Sequence, residues 1–358
     1  MYKMVNGKKR IFYLDFIRAF AISLVVLAHV VRLLFTNSQL NVANMYSAPF
    51  IDLAVLGVPL FLMISGVLLL NRDFELTDFF TRRYSRVLVP FIFWAIVFAF
   101  FKIFINGVEL SLSSFFLNLN SIEFWFVWMI LVAYLFIPII NSFIKEYGMK
   151  GMEYFLILWF AIIILNTLVP DYLNQSELIY YMSYLGYFVL GYYLANKKFN
   201  LSDNALLIIS AMIFLIFTAI NVSYTVSIGF STHELVYYKY LTMVTVMQAV
   251  GLFMFFKCFT FCSIDSPNSI KAKIYSFFKD SAMFKVIFSL STFSYGIYLI
   301  HFMPLLLCKW FNITCFPILK VNPLISMPSI FIFVLVISWL VLWIFDKIPI
   351  LNRFSGAH

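Results

Sequence analysis

About ten stretches of about twenty predominantly apolar residues follow one another along the chain, parted by short polar loops. A run of that length is what an α-helix needs to cross a hydrocarbon core about 30 Å thick at about 1.5 Å per residue. The stretches fall near 11–35, 51–70, 87–105, 124–144, 152–169, 178–196, 204–221, 237–261, 285–308 and 326–346. They predict an all-α, polytopic helical bundle that uses residues 1–358 as a single transmembrane domain. Composition agrees. Only 11% of the residues are charged and 63% are hydrophobic, whereas soluble domains carry about 25% and about half. Lys8, Lys9 and Arg10 precede the first stretch in the manner of a secretory leader. That stretch exceeds an h-region of about 7–15 residues, and Asp15 and Arg18 interrupt it, so it reads as a retained helix.

The net charge of +9 does not point to nucleic acid, because the charges sit in short loops between apolar segments. Membrane lipid is the expected partner. With the N-terminus inside, 19 of the 25 Lys and Arg residues fall in inner loops, the asymmetry of the positive-inside rule. Both termini are therefore expected in the cytoplasm. Arg32, Lys102, Lys239, Lys309 and Lys320 are the exceptions at outer helix ends, and Arg18 lies within the first helix.

The four cysteines suggest no metal site. Cys258 and Cys262 stand at i,i+4 with no C-x-x-C pair, and small buried thiols are the simpler reading. Cys308 and Cys315 flank an outer loop, where an oxidising compartment would permit a disulfide.

Ionisable residues inside a membrane span are costly, which makes them candidates for function. The first helix has Asp15, Arg18 and His29. Arg18 and His29 are eleven residues apart, about three turns and about 16 Å along one helix face. Asp15, at i−3, can pair with Arg18. From spacing alone, His29 reads equally as a hydrogen-bonded packing histidine or as a general base. Arg18 reads as an interfacial snorkelling side chain or as part of a site.

The run YLDFIRAFAISLVVLAHV resembles the opening of acyltransferase family 3, integral membrane enzymes marked by Arg or Lys, ten residues, then His. Further segments continue the resemblance in order. They are GVPLFLMISG with Gly57, Pro59, Ser65 and Gly66; RRYSRVLVPF with Arg82, Arg83, Arg86 and Pro90; Phe124, Trp125 and Phe126 followed by Tyr134 and Pro138; and SYGIYLIH with Ser294, Tyr295, Gly296, Tyr298 and His301. The resemblance implies that His29 is catalytic, that Arg18 is its motif partner, and that Arg82, Arg83 and Arg86 serve an acyl-CoA donor. Three guanidiniums at a cytoplasmic helix start also suit phosphate by their own chemistry. Ordinary positive-inside charge or contact with anionic lipid is the competing reading.

By depth along their helices, Glu123 and His301 fall near the level of His29. Glu123 is expected to orient the base, or else to be a solvated acid favoured by a helix N-terminus. His301 is a supporting residue or a core histidine, and Asp15 and Ser65 are further candidate supports. Asp52, at the outer start of the second helix, is expected to be solvated. No bound cofactor is expected; acetyl-CoA or another acyl-CoA is a co-substrate. The acceptor that the resemblance implies is a hydroxyl of a surface polysaccharide or its lipid-linked precursor, at a bacterial plasma membrane. SYGIYLIH and KIPILNRF are most similar to the subgroup containing the enterobacterial common antigen O-acetyltransferase. A transporter or flippase for polysaccharide or lipid-linked sugar also accommodates ten helices with buried charge. Such folds show inverted repeats and paired broken helices, and the sequence shows neither.

Overall fold

The computed structural model describes residues 2–5, 8–36, 49–50, 52–106, 124–169, 177–228, 238–261, 281–311 and 323–357. After a short hairpin of β1 (Tyr2–Val5) and β2 (Lys8–Ile11), the described chain is helical. The helices are α1 (Phe12–Thr36), α2 (Gly57–Leu69), α3 (Leu76–Asn106), α4 (Trp125–Leu168), α5 (Glu177–Ser183) and α6 (Leu185–Asn196). They continue with α7 (Asp203–Ile228), α8 (Met243–Phe261), α9 (Ala282–Ile300), α10 (Phe302–Trp310) and α11 (Pro323–Lys347). Seven helices among the described residues are long and apolar enough to cross a membrane, and Met243–Phe259 is a shorter apolar one.

The chain divides into two compact units. The first comprises Met1–Leu24, Val55–Arg72 and Ile137–Ser291; the second comprises Val25–Ala54, Asp73–Phe136 and Thr292–His358. Helices α1, α4 and α9 each contribute one part to each unit.

In the first unit α2 packs on α6 through two glycines. A Cβ on Gly66 would strike the backbone of Phe188, and one on Gly191 the backbone of Met63. Close backbone approach of this kind is how helices associate in lipid, where burial of apolar surface gives no drive. Helices α7 and α8 add polar contacts. Asn221 donates from Nδ2 to Gln248 Oε1 at 3.2 Å, and Gln248 Nε2 donates to Thr218 Oγ1 at 3.0 Å. The apolar outer face of α7, with Ile208, Leu215 and Ile216 exposed, is suited to acyl chains. Helix α4 breaks at Gly148, whose φ of 59° and ψ of −143° suit only glycine. The polar run KEYGMK had already separated two spans there.

In the second unit the chain end folds back onto α3 and α9. Trp94 Nε1 donates to the Phe354 carbonyl at 2.8 Å, Phe93 stacks on Phe354 with centroids 4.3 Å apart, and Gly296 leaves room for the Ser355 backbone. Tyr84 and Tyr295 donate to the carbonyls of Leu131 and Val87 at 2.9 and 2.8 Å.

Several boundaries differ from expectation. Helix α3 begins at Leu76 rather than near 87, because its first turns are amphipathic and escape an apolar-length criterion. The predicted spans at 178–196 and 285–308 are each broken, at Tyr184 and at His301. Pro304 lacks the N–H that would bond back to Ile300 across the second break. The hairpin was unforeseen, although Asn6-Gly7, the dipeptide most favoured in two-residue hairpin loops, lies between its strands.

Candidate active site

His29, on the part of α1 that belongs to the second unit, is half-buried. Its ring lies 5.0 Å from that of His301 and 4.4 Å from that of Phe302, centroid to centroid. The break between α9 and α10 is what delivers His301. Its backbone N–H still bonds to the Ile297 carbonyl at 3.0 Å, while its fully buried ring turns back on α9. Nδ1 stands 2.7 Å from the Tyr298 carbonyl and 3.1 Å from that of Ile297. Both partners accept only, so Nδ1 carries the proton and Nε2 keeps its lone pair in the neutral ring. The structure thus brings together two imidazoles that 272 residues separate in sequence (301 − 29).

From this pair an aromatic series descends α9. Tyr298 lies 6.0 Å from His301 and 5.4 Å from Phe126, and Tyr295 stacks on Tyr298 at 6.4 Å. Tyr295 is within electrostatic reach of Tyr134, and Tyr134 of Arg83 and Arg86. One unit therefore holds both the imidazoles and the arginine cluster. The three arginines differ. Arg82 is exposed and paired with Asp78 at 2.7 Å. Arg86 is exposed and Arg83 half-buried.

The other end of α1 belongs to the first unit and is arranged differently. Asp15 is nearly buried and accepts a hydrogen bond from Ser291 Oγ at 2.7 Å. Arg18 Nη1 stands 3.9 Å from the same carboxylate oxygen. Phe12 stacks on Phe284 at 4.6 Å beside them. Arg18 and His29 stand on the same helix, eleven residues apart, which is about 16 Å of ideal helix.

Ser65 lies in the first unit and donates to the Phe61 carbonyl of its own helix at 2.9 Å. Glu123 lies outside the described residues. Asp52 is a correction: it is fully buried, not solvated. Its neighbours Ala54, Val55 and Leu56 are buried too, so the helix start lies inside the protein. Ser291, Phe302 and the closeness of Arg32 to His29 were not foreseen. A serine or phenylalanine in an apolar helix gives no local signal, and Arg32 had been assigned only to an outer helix end. Cys258 and Cys308 are buried thiols, while Cys262 and Cys315 lie outside the described residues. Among the described residues no three His, Cys, Asp or Glu side chains are grouped to hold a metal.

A family model described as an acyltransferase domain, the third of that name, matches residues 11–343. No curated protein and no solved structure matches the chain.

Proposed function

From the premise that this chain belongs to acyltransferase family 3 and is a multi-pass membrane acyltransferase, we propose that it moves acetyl from cytosolic acetyl-CoA to a sugar hydroxyl. The acceptor is a cell-surface polysaccharide or its lipid-linked precursor, at a bacterial plasma membrane. His29 is the general base. It takes the proton of the acceptor hydroxyl as that oxygen bonds to the thioester carbonyl carbon. The carbon–sulfur bond then breaks, and the imidazolium returns the proton to the departing thiolate. His301, with its proton fixed on Nδ1, presents its other nitrogen beside His29 and holds the base in place.

Arg83 and Arg86, with Arg82, take the phosphates of coenzyme A. The tyrosines between them and the histidines supply a lane for the thioester arm. Arg18 is a positioning residue: with Asp15 and Ser291 it anchors the start of α1, and it is too far from His29 to touch the reacting atoms. Glu123 remains a candidate to orient the base. The observation that carries the reading is the pairing of His29 on α1 with His301 at the α9–α10 break, in the same unit as the arginine cluster.

The experiment is transfer of labelled acetyl from acetyl-CoA by the purified, reconstituted chain. Arg83→Ala and Arg86→Ala are expected to raise the donor KM about tenfold each, the loss of a charge-assisted phosphate contact, and to leave the acceptor KM near its starting value. Sugar movement across the membrane with no acyl transfer would defeat the reading in favour of transport.

A further inference from the structure

We propose that a cleft in the first unit binds one acyl chain of an anionic phospholipid, whose headgroup phosphate is held at the KEYGMK turn. The site lies wholly within the first unit and stands apart from the transferase chemistry. Its origin is the break at Gly148, which lets residues on both sides of it line one cleft of about 300 Å³. Ile139 and Phe143 face it from the first half of α4, Phe155 and Leu158 from the second, and Val189 from α6. Met152 and Val189 are buried and close its floor, whereas Ile139 and Leu158 are exposed at its mouth.

The volume is that of a small ligand pocket, a class that runs from about 300 to 1,000 Å³. Of the side chains that line it among the described residues, Tyr154 alone has an oxygen, so water would lack the polar partners it needs. The lining follows α4 from Ile139 to Ile144 and again from Met152 to Leu158, about 8 and 9 Å of helix, a length that suits a hydrocarbon chain.

Charge at the turn end selects the headgroup. Lys145 follows Ile144, and Lys150 precedes Met152 by two residues, so chain connectivity puts both exposed lysines at that end of the cleft. An ammonium has three donors, and a contact within the protein still leaves donors for a phosphate. Of the nearby acids, Glu153 accepts from Lys197 at 2.6 Å and from Tyr193 at 3.0 Å. Lys145, Lys150, Lys197 and Lys198 outnumber Glu146 and Glu153 there. Tyr147 and Tyr154 are exposed beside them, as rings at headgroup level are. The positive-inside expectation puts the turn at the cytoplasmic leaflet, whose anionic lipids draw basic segments.

The test uses the full chain in phosphatidylcholine nanodiscs with a small share of phosphatidylglycerol bearing a diazirine midway along one acyl chain. After irradiation the labelled residues are read by mass spectrometry. The exposed Ile208, Leu215 and Ile216 of α7 give the level of ordinary lipid contact. Label is expected to concentrate on Phe143 and Phe155, about tenfold above phosphatidylcholine carrying the same chain, whereas α7 takes up both alike. Leu158→Trp, which fills the cleft from its open side, should bring that labelling down to the level of α7. If this variant does not fold, Ile139→Trp is read instead, at the more exposed of the two positions. Lys145→Gln with Lys150→Gln should abolish the preference for phosphatidylglycerol and keep a chain in the cleft. Label no denser there than on α7, equal labelling by the two lipids, or a preference that survives the lysine substitutions overturns the proposal. So does displacement by palmitoyl-CoA where the same concentration of unlabelled phosphatidylglycerol has no effect, because the occupant is then an acyl donor.

Discussion

Asp15–Arg18–Ser291 and His29–His301–Phe302 are both polar clusters on α1, and their polar groups are satisfied in opposite ways. In the first, a carboxylate accepts a hydrogen bond from a hydroxyl at 2.7 Å and has a guanidinium 3.9 Å away. Opposite charges compensate one another, and little chemistry is left over. In the second, one imidazole is held by backbone carbonyls and faces another imidazole across 5.0 Å, with a phenylalanine ring beside both. The contacts there are ring against ring and ring against backbone carbonyl. The difference teaches that a buried ionisable group marks function only after its partners are known. Arg18 and His29 look like equal members of one motif in the sequence, yet one belongs to an ion-paired cluster and the other to a pair of imidazoles.

The comparison can be broken or sharpened by substitution. The largest effect is expected where the first unit depends on backbone contact. Gly191→Val drives a side chain into the Met63 backbone, an overpacking cost of about 3 kcal/mol or more. Folded protein should fail to accumulate in the membrane, as read by detergent-extracted, monodisperse yield. Next comes His301→Phe, which keeps a ring beside Phe302 and removes the nitrogens. Acetyl transfer should fall about a hundredfold while the thermal midpoint stays within a few degrees. A transfer rate near the starting value would return His301 to a packing role.

Asp15→Ala is the converse. It leaves the Ser291 hydroxyl and the Arg18 guanidinium without the carboxylate, at about 1–3 kcal/mol. Denaturant midpoints should drop, and transfer per folded molecule should hold. Equal loss from Asp15→Ala and His301→Phe in transfer per folded molecule would erase the distinction between the clusters. The smallest effect concerns the half-buried Lys197, hydrogen-bonded to Glu153 at 2.6 Å, a contact that holds the lysine above its ordinary pKa. A raised pKa contributes stability that is fully present below the unfolded value and is lost as pH rises through the folded one. Melting curves should show a slight fall only in strongly alkaline buffer, and Lys197→Met should remove that step.

The all-α membrane class was readable because a bilayer demands long apolar runs, and the break at Gly148 was readable because its flanks are polar. The break at His301 was not. Apolar residues stand on both sides of it, and an apolar-length criterion does not register Pro304. Asp52 was misread because a carboxylate at the start of an apolar run looks the same whether water or protein covers it. Each half of the imidazole pair stood in its own motif, but their contact depends on tertiary packing across 272 residues (301 − 29). The separation of Arg18 from His29 was legible as helix arithmetic, whereas the role of Ser291 in holding Asp15 was not.

The most direct measurement is the initial rate of acetyl transfer by His29→Ala, with and without free imidazole in solution. The substitution removes a half-buried ring next to His301 and Phe302, and leaves a gap the size of the added base. The rate is expected to fall by about 10²–10⁴ and to recover in proportion to imidazole, while Asp15→Ala shows no such response. A His29→Ala protein that transfers acetyl as fast as the unaltered chain would contradict the account.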